Sequence, residues 1–147
     1  YIEKTKLPKN FHFTPIAISN KDEHVLFRFP KNKDFVSGSL VNHNNVSDVE
    51  TLVVEAQSLM TIMQHNNHTK LDILKLDIEG SEYDVIENIL NSKIEITQLC
   101  IEIHDRFFPE KTQKSKKLLK LLRGAGYLLY ARSQNLEELS FIKSDSL

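Results

Sequence analysis

Lys75, Asp77 and Glu79 occupy every second position of "LDILKLDIEG" (71–80), and Glu102 and His104 do the same in "QLCIEIH" (98–104). Alternate residues of a strand project from one face, so each segment gathers its ionisable groups on one side. Three carboxylates and an imidazole support two kinds of chemistry. One is general acid–base work, with histidine as the group whose ordinary pKa lies nearest neutral pH. The other is the binding of a hard divalent ion such as Mg²⁺ or Mn²⁺ by an oxygen-rich donor set, although Lys75 on the same face could neutralise the carboxylates instead. Singly, each charge has a plainer explanation. Lys75 fits a solvated residue on an open sheet face, and Glu82 and Asp84 fit the acidic first turn of a helix, where the dipole favours negative charge. Together, on successive strands, Asp77, Glu79, Glu102 and His104 form the candidate site, because a desolvated carboxylate without a partner is costly and such groups cluster at active sites.

Two strands and a helix must position these groups. Strand 71–78 puts Leu74, Leu76 and Ile78 on one face and Ile73, Lys75, Asp77 and Glu79 on the other. Strand 97–104 has Leu99, Ile101 and Ile103 opposite Gln98, Cys100, Glu102 and His104. Between them an S-x-x-D pattern at Ser81 and Asp84 predicts a helix start, with Val85, Ile86, Ile89 and Leu90 on its apolar face. Upstream, 11–19 and 25–29 read as strands, 30–47 as a long surface loop, 49–55 as a strand and 57–66 as a helix with Leu59, Ile62 and Met63 inward. Downstream, a helix over 112–123 stops at Gly124 and Gly126, and 127–131 with 139–143 should pair as a hairpin. Strand–helix alternation implies right-handed crossovers and a parallel sheet. The expected fold is α/β, a doubly wound, mostly parallel open sheet with an antiparallel C-terminal hairpin. Ligands of such sheets bind beyond the carboxyl ends of the strands, where the ionisable groups collect.

The 147 residues suit one domain, and 40% hydrophobic with 27% charged residues is an ordinary globular composition. A net charge of -1 and a pI near 6.7 make no case for nucleic acid or an anionic membrane as partner. No run reaches the ~18 apolar residues of a membrane helix. The single cysteine, Cys100, reads as a small core residue and accords with a reducing compartment. No signal peptide is evident, and the chain opens on Tyr1, so the expectation is a cytoplasmic protein with an upstream segment lost. His65 and His68 have the spacing of a zinc half-site, but beside Asn66 and Asn67 they read as a solvated helix end. His12, His24 and His43 have no evident partners. The sequence does not give the oligomeric state.

"LDILKLDIEGSEYDVIENIL", "QLCIEIH" and "LLKLLRGAGYLLYARSQN" resemble the FkbM family of S-adenosylmethionine-dependent methyltransferases. Lys75, Asp77, Glu79, Gly80, Ser81 and Glu82 match a K-[ILV]-D-[ILV]-E-G-[AS]-E motif, and Glu102 and His104 match the E-[IL]-H that follows it. The resemblance implies a Rossmann-like class I methyltransferase sheet, S-adenosylmethionine as cofactor, and O-methylation of a sugar or another small-molecule or glycan acceptor. It places Ala17, Ile18 and Ser19 beside the adenine, with Asp77 also on the cofactor. His104 would be the general base, Glu102 would orient the acceptor or the imidazole, and Asp77 and Glu79 would lie where methyl group and acceptor meet. Ser37-Gly38-Ser39 would line the cleft or form a plain turn. The family's glycine-rich cofactor turn is not among this chain's four glycines, so the sequence reads as an N-terminally truncated, partial domain (1–147), expected to be inactive alone. Two other functions fit the residues: a non-catalytic α/β binding module that has lost the cofactor site, and a metal-dependent hydrolase built on the four strand-tip residues.

Overall fold

The structure, a computed structural model, describes residues 8–146. It contains two sheets. The first holds β1 (Ala17–Ile18), β2 (Glu23–Pro30) and β3 (Val46–Gln57) in the order β1-β3-β2, with β1 parallel and β2 antiparallel to β3. The second holds β4 (Lys70–Leu76), β5 (Glu95–Glu102), β6 (Tyr127–Arg132) and β7 (Glu138–Lys143) in the order β4-β5-β7-β6. Three α-helices accompany them: α1 (Leu59–His65), α2 (Glu82–Asn91) and α3 (Thr112–Gly124). None of the helices among the described residues is long and apolar enough to cross a membrane.

The parallel pairing expected of 71–78 and 97–104 is present, with Leu74 opposite Leu99 and Lys75 opposite Cys100. β7, from the C-terminal hairpin, pairs antiparallel with β5 and leaves β6 at the edge. The core is the apolar face of this sheet: Leu76, Leu99, Ile101 and Phe141 pack with Val85, Ile86 and Ile89 of α2 and Leu118 and Leu122 of α3. α1 adds Leu59 and Met63 to the same cluster.

The described strands form two separate sheets where one doubly wound sheet was expected. β3 already has β1 on one edge and β2 on the other, so no edge is left for β4. β1 and β4 each end their sheet with an open edge. The face opposite the core is bare, with Ile73 60% exposed and Lys75 beside it.

Element boundaries differ too. Of 11–19 only Ala17–Ile18 pairs as strand. The strand expected over 49–55 runs from Val46 to Gln57 because β2 pairs along it from Glu23↔Ala56 to Arg28↔Thr51. β4 stops at Leu76, and the chain turns through Glu79 at φ 51° and Gly80 at φ 106°. Asp77 and Glu79 therefore stand on a loop beyond the strand. Ser81 occupies the N-cap of α2, but its side chain makes no capping bond.

Candidate active site

Glu82 organises the loop that Ser81 was expected to cap. Its carboxylate accepts the N–H of Ile78 at 3.1 Å and of Gly80 at 3.0 Å. Both donors precede the helix, so Glu82 folds the 77–81 turn back onto the start of α2. Its side chain is fully buried, a place a carboxylate holds only with partners such as these. Glycine suits position 80 because its φ is +106°, a conformation that side-chain-bearing residues rarely adopt.

His104, two residues beyond β5, is also fully buried. Its Nδ1 lies 2.7 Å from Glu82 Oε1. At this distance the buried carboxylate holds the ring from its Nδ1 side. Nε2 points the other way, into three carboxylates: Glu79 at 3.4 Å, Glu102 at 3.6 Å and Asp77 at 3.9 Å. No hydrogen-bond partner meets it among the described residues. Lys75 Nζ reaches Asp77 from outside at 3.6 Å. All four residues singled out in the sequence thus meet around one imidazole nitrogen.

The electrostatics follow from this crowding. Burial pulls the His104 pKa down, but contact with Glu82 and the charge of Glu79 outweigh it, and the imidazolium is held above its ordinary range. Burial and the nearby Asp77 charge raise the Glu102 pKa. His43 is shifted down, chiefly by burial.

Two cavities adjoin the cluster. A cleft of about 530 Å³ is lined by Ala17, Ile18, Phe27, Gly38, Ser39, Asp77 and Glu79. A smaller one of about 300 Å³ is walled by Phe35, His43, Arg106, Phe107 and, again, Glu79. Glu79 separates the two. The 31–45 loop is pinned at this point, because the Ser39 hydroxyl donates to Glu79 O at 2.6 Å and accepts from Val41 N at 2.9 Å. A Cβ at Gly38 would collide with the Phe27 ring and the Arg28 carbonyl. A cavity of about 580 Å³ opens at the other end of the sheet, beside Lys70 and Glu95, away from the cluster.

Of the residues expected beside the cofactor, Ala17, Ile18 and Asp77 line the 530 Å³ cleft, whereas Ser19 borders a separate pocket of about 230 Å³ with Asn20 and Leu40. Gly38 and Ser39 join the cleft and Ser37 the smaller cavity. His65 and His68 are exposed at the end of α1. His43, without an evident partner in sequence, stacks on Phe107 at 3.7 Å, and Phe107 stacks in turn near His104 at 5.2 Å. The contact that sequence reasoning missed is Glu82 with His104. The signal available was the Glu closing "IEGSE", which looked like an ordinary acidic first turn.

An α/β chain with acid–base groups collected at the ends of parallel strands, beside a cleft, is consistent with an α/β methyltransferase-like fold. Residues 3–129 match the family model of the methyltransferase FkbM domain. The match spans most of the chain, which therefore belongs to the FkbM methyltransferase family. No curated protein and no solved structure matches the chain.

Proposed function

We propose that this protein transfers a methyl group from S-adenosylmethionine to a hydroxyl oxygen of a sugar or another small-molecule or glycan acceptor. The observation that carries this reading is the position of Glu79, which forms the wall between a 530 Å³ cleft and a 300 Å³ cavity with His104 Nε2 3.4 Å behind it. Both volumes fall within or at the edge of the range of small-molecule sites.

S-adenosylmethionine supplies an electrophilic methyl carbon, and attack must come in line from the opposite side. Ala17 and Ile18 give the larger cleft an apolar wall for a base, and the carboxylates of Asp77 and Glu79 that also line it attract a sulfonium charge. Phe35, largely exposed, offers the smaller cavity an aromatic face on which a sugar ring can pack. Orientation of two reactants across one wall is the main contribution such a site makes. When no ion is bound, His104 Nε2 takes the hydroxyl proton, and Glu102 orients the acceptor. The oxygen–methyl bond forms as the carbon–sulfur bond breaks, and its electron pair goes to sulfur.

The finer architecture belongs to the same reading. β1 and β4 present open edges, and strands inserted between them with a glycine-rich turn would complete a Rossmann-like class I sheet and the cofactor site. The test, run on the chain extended upstream by about 60 residues, is transfer of labelled methyl from S-adenosylmethionine to a panel of sugars and secondary alcohols. His104→Gln should lower turnover by about a hundredfold or more with little change in cofactor affinity. Unchanged turnover would remove His104 from the role.

A further inference from the structure

We infer that the cluster at the strand ends is a divalent-cation site, held by Asp77, Glu102 and His104 Nε2 with Glu79 beside them, and that it takes Mn²⁺ in preference to Mg²⁺.

One donor atom each from Asp77, Glu102 and His104 lies within 4.8 Å of the others. Ligands of a single ion at about 2.1 Å and right angles sit about 3 Å apart. Nε2 is 3.4–3.9 Å from the three carboxylate oxygens, so closing the set needs only small movements of side chains that are partly exposed. Acidic groups alone would not define a site. The decisive observation is the nitrogen: His104 is fully buried, and Nε2 has no hydrogen-bond partner. Its other nitrogen is held at 2.7 Å by buried Glu82, the arrangement by which a carboxylate fixes an imidazole so that its free lone pair meets a metal.

Charge points the same way. Asp77, Glu79, Glu82 and Glu102 surround one imidazole, and the one lysine in contact, Lys75, touches Asp77 from a largely exposed position. A divalent ion between the three strand-tip carboxylates and Nε2 balances that charge. Oxygen donors with one imidazole suit Mn²⁺ better than Mg²⁺, which favours all-oxygen shells and keeps its waters.

The ion's role rests on the methyltransferase reading above. Held by Asp77, Glu102 and His104, such an ion would supply Lewis-acid activation of an acceptor hydroxyl. Glu79 would then take the O–H proton, and His104 would serve as ligand instead of base.

Electron paramagnetic resonance of Mn²⁺ titrated into the protein tests the site directly, with folding checked by circular dichroism. One saturable Mn²⁺ per chain is expected. Asp77→Asn and Glu102→Gln, both at partly exposed positions, should each weaken it by about tenfold or more. Glu87→Gln, a remote acid, should bind like the unaltered protein. No saturable signal, or binding that neither site variant weakens, or equal weakening by the remote variant, overturns the inference. The two readings fail separately. Methyl transfer that persists in EDTA, together with absent Mn²⁺ binding, removes the ion and leaves the methyltransferase. Saturable Mn²⁺ binding without methyl transfer to any acceptor leaves the ion and removes the catalytic role.

Discussion

His104 Nδ1 lies 2.7 Å from Glu82 Oε1, and neither side chain is exposed to solvent. This contact joins the end of β5 to the start of α2. Because Glu82 also accepts the N–H groups of Ile78 and Gly80, it joins both to the loop after β4. The geometry of Asp77, Glu79, Glu102 and His104 depends on that one buried carboxylate.

Glu82→Ala should therefore be costly. It strands two loop amides and a buried imidazole, and the loss of one partner from a buried polar network destabilises by about 3 kcal/mol or more. Glu82→Gln keeps an acceptor oxygen and should lose less. Thermal denaturation of the two variants checks the order. Equal and small losses would mean that the loop is held by something else.

Tyr83 fixes the next layer. Its hydroxyl donates to Asp105 at 2.6 Å, Ser115 donates to the other oxygen of the same carboxylate at 2.5 Å, and the 105–107 turn so held carries Phe107 against His104. Burial, with the Asp105 hydrogen bond, pushes the Tyr83 pKa far up. Tyr83→Phe should cost about 1 kcal/mol, measured by urea denaturation. No loss would show that Ser115 alone holds Asp105.

Gly38→Ala brings a Cβ into the Phe27 ring and the Arg28 carbonyl, so the loop must move off Glu79. The expected outcome is a loss of S-adenosylmethionine affinity of about tenfold, the effect of roughly 1.4 kcal/mol, in a protein that still folds. Calorimetry checks it, and unaltered affinity would mean that the loop does not border the cofactor.

The N-terminus of α1 provides a pH test. Asp22 accepts the Ser58 amide and the Thr61 hydroxyl, each at 2.7 Å, and the Ser58 amide first, then Thr61, lowers its pKa. A carboxylate depressed on folding stabilises above its unfolded value, here 3.8, and loses that contribution as pH falls through the folded value. The stability difference between the protein and Asp22→Asn should thus be full at neutral pH and shrink in acid below 3.8. A difference that is constant with pH would contradict the assignment.

The convergence of the four tip residues was legible in the sequence for a physical reason. Strands on either side of a crossover helix lie parallel, so Glu102 and His104 must come beside Asp77 and Glu79. The period of α2 and the alternation of β5 were strong enough to place both. The split into two sheets was not legible, because alternation marks a strand without naming its neighbours, and β3 had both edges filled by β1 and β2. Glu82 was hidden because a carboxylate in a first helical turn serves the dipole equally well whether it is buried or exposed. The His43–Phe107 stack joins residues far apart in the chain and leaves no local pattern.

The central claim is that the cleft between Ile18 and Glu79 is half of an S-adenosylmethionine site. Its most direct test is a calorimetric titration of S-adenosylmethionine into this chain and into a version extended upstream by two strand–helix units, about 60 residues. The account predicts saturable binding by the extended form, much weaker or none by the chain alone, and about tenfold weaker binding by the extended form on Gly38→Ala. Absence of binding by both forms would contradict it.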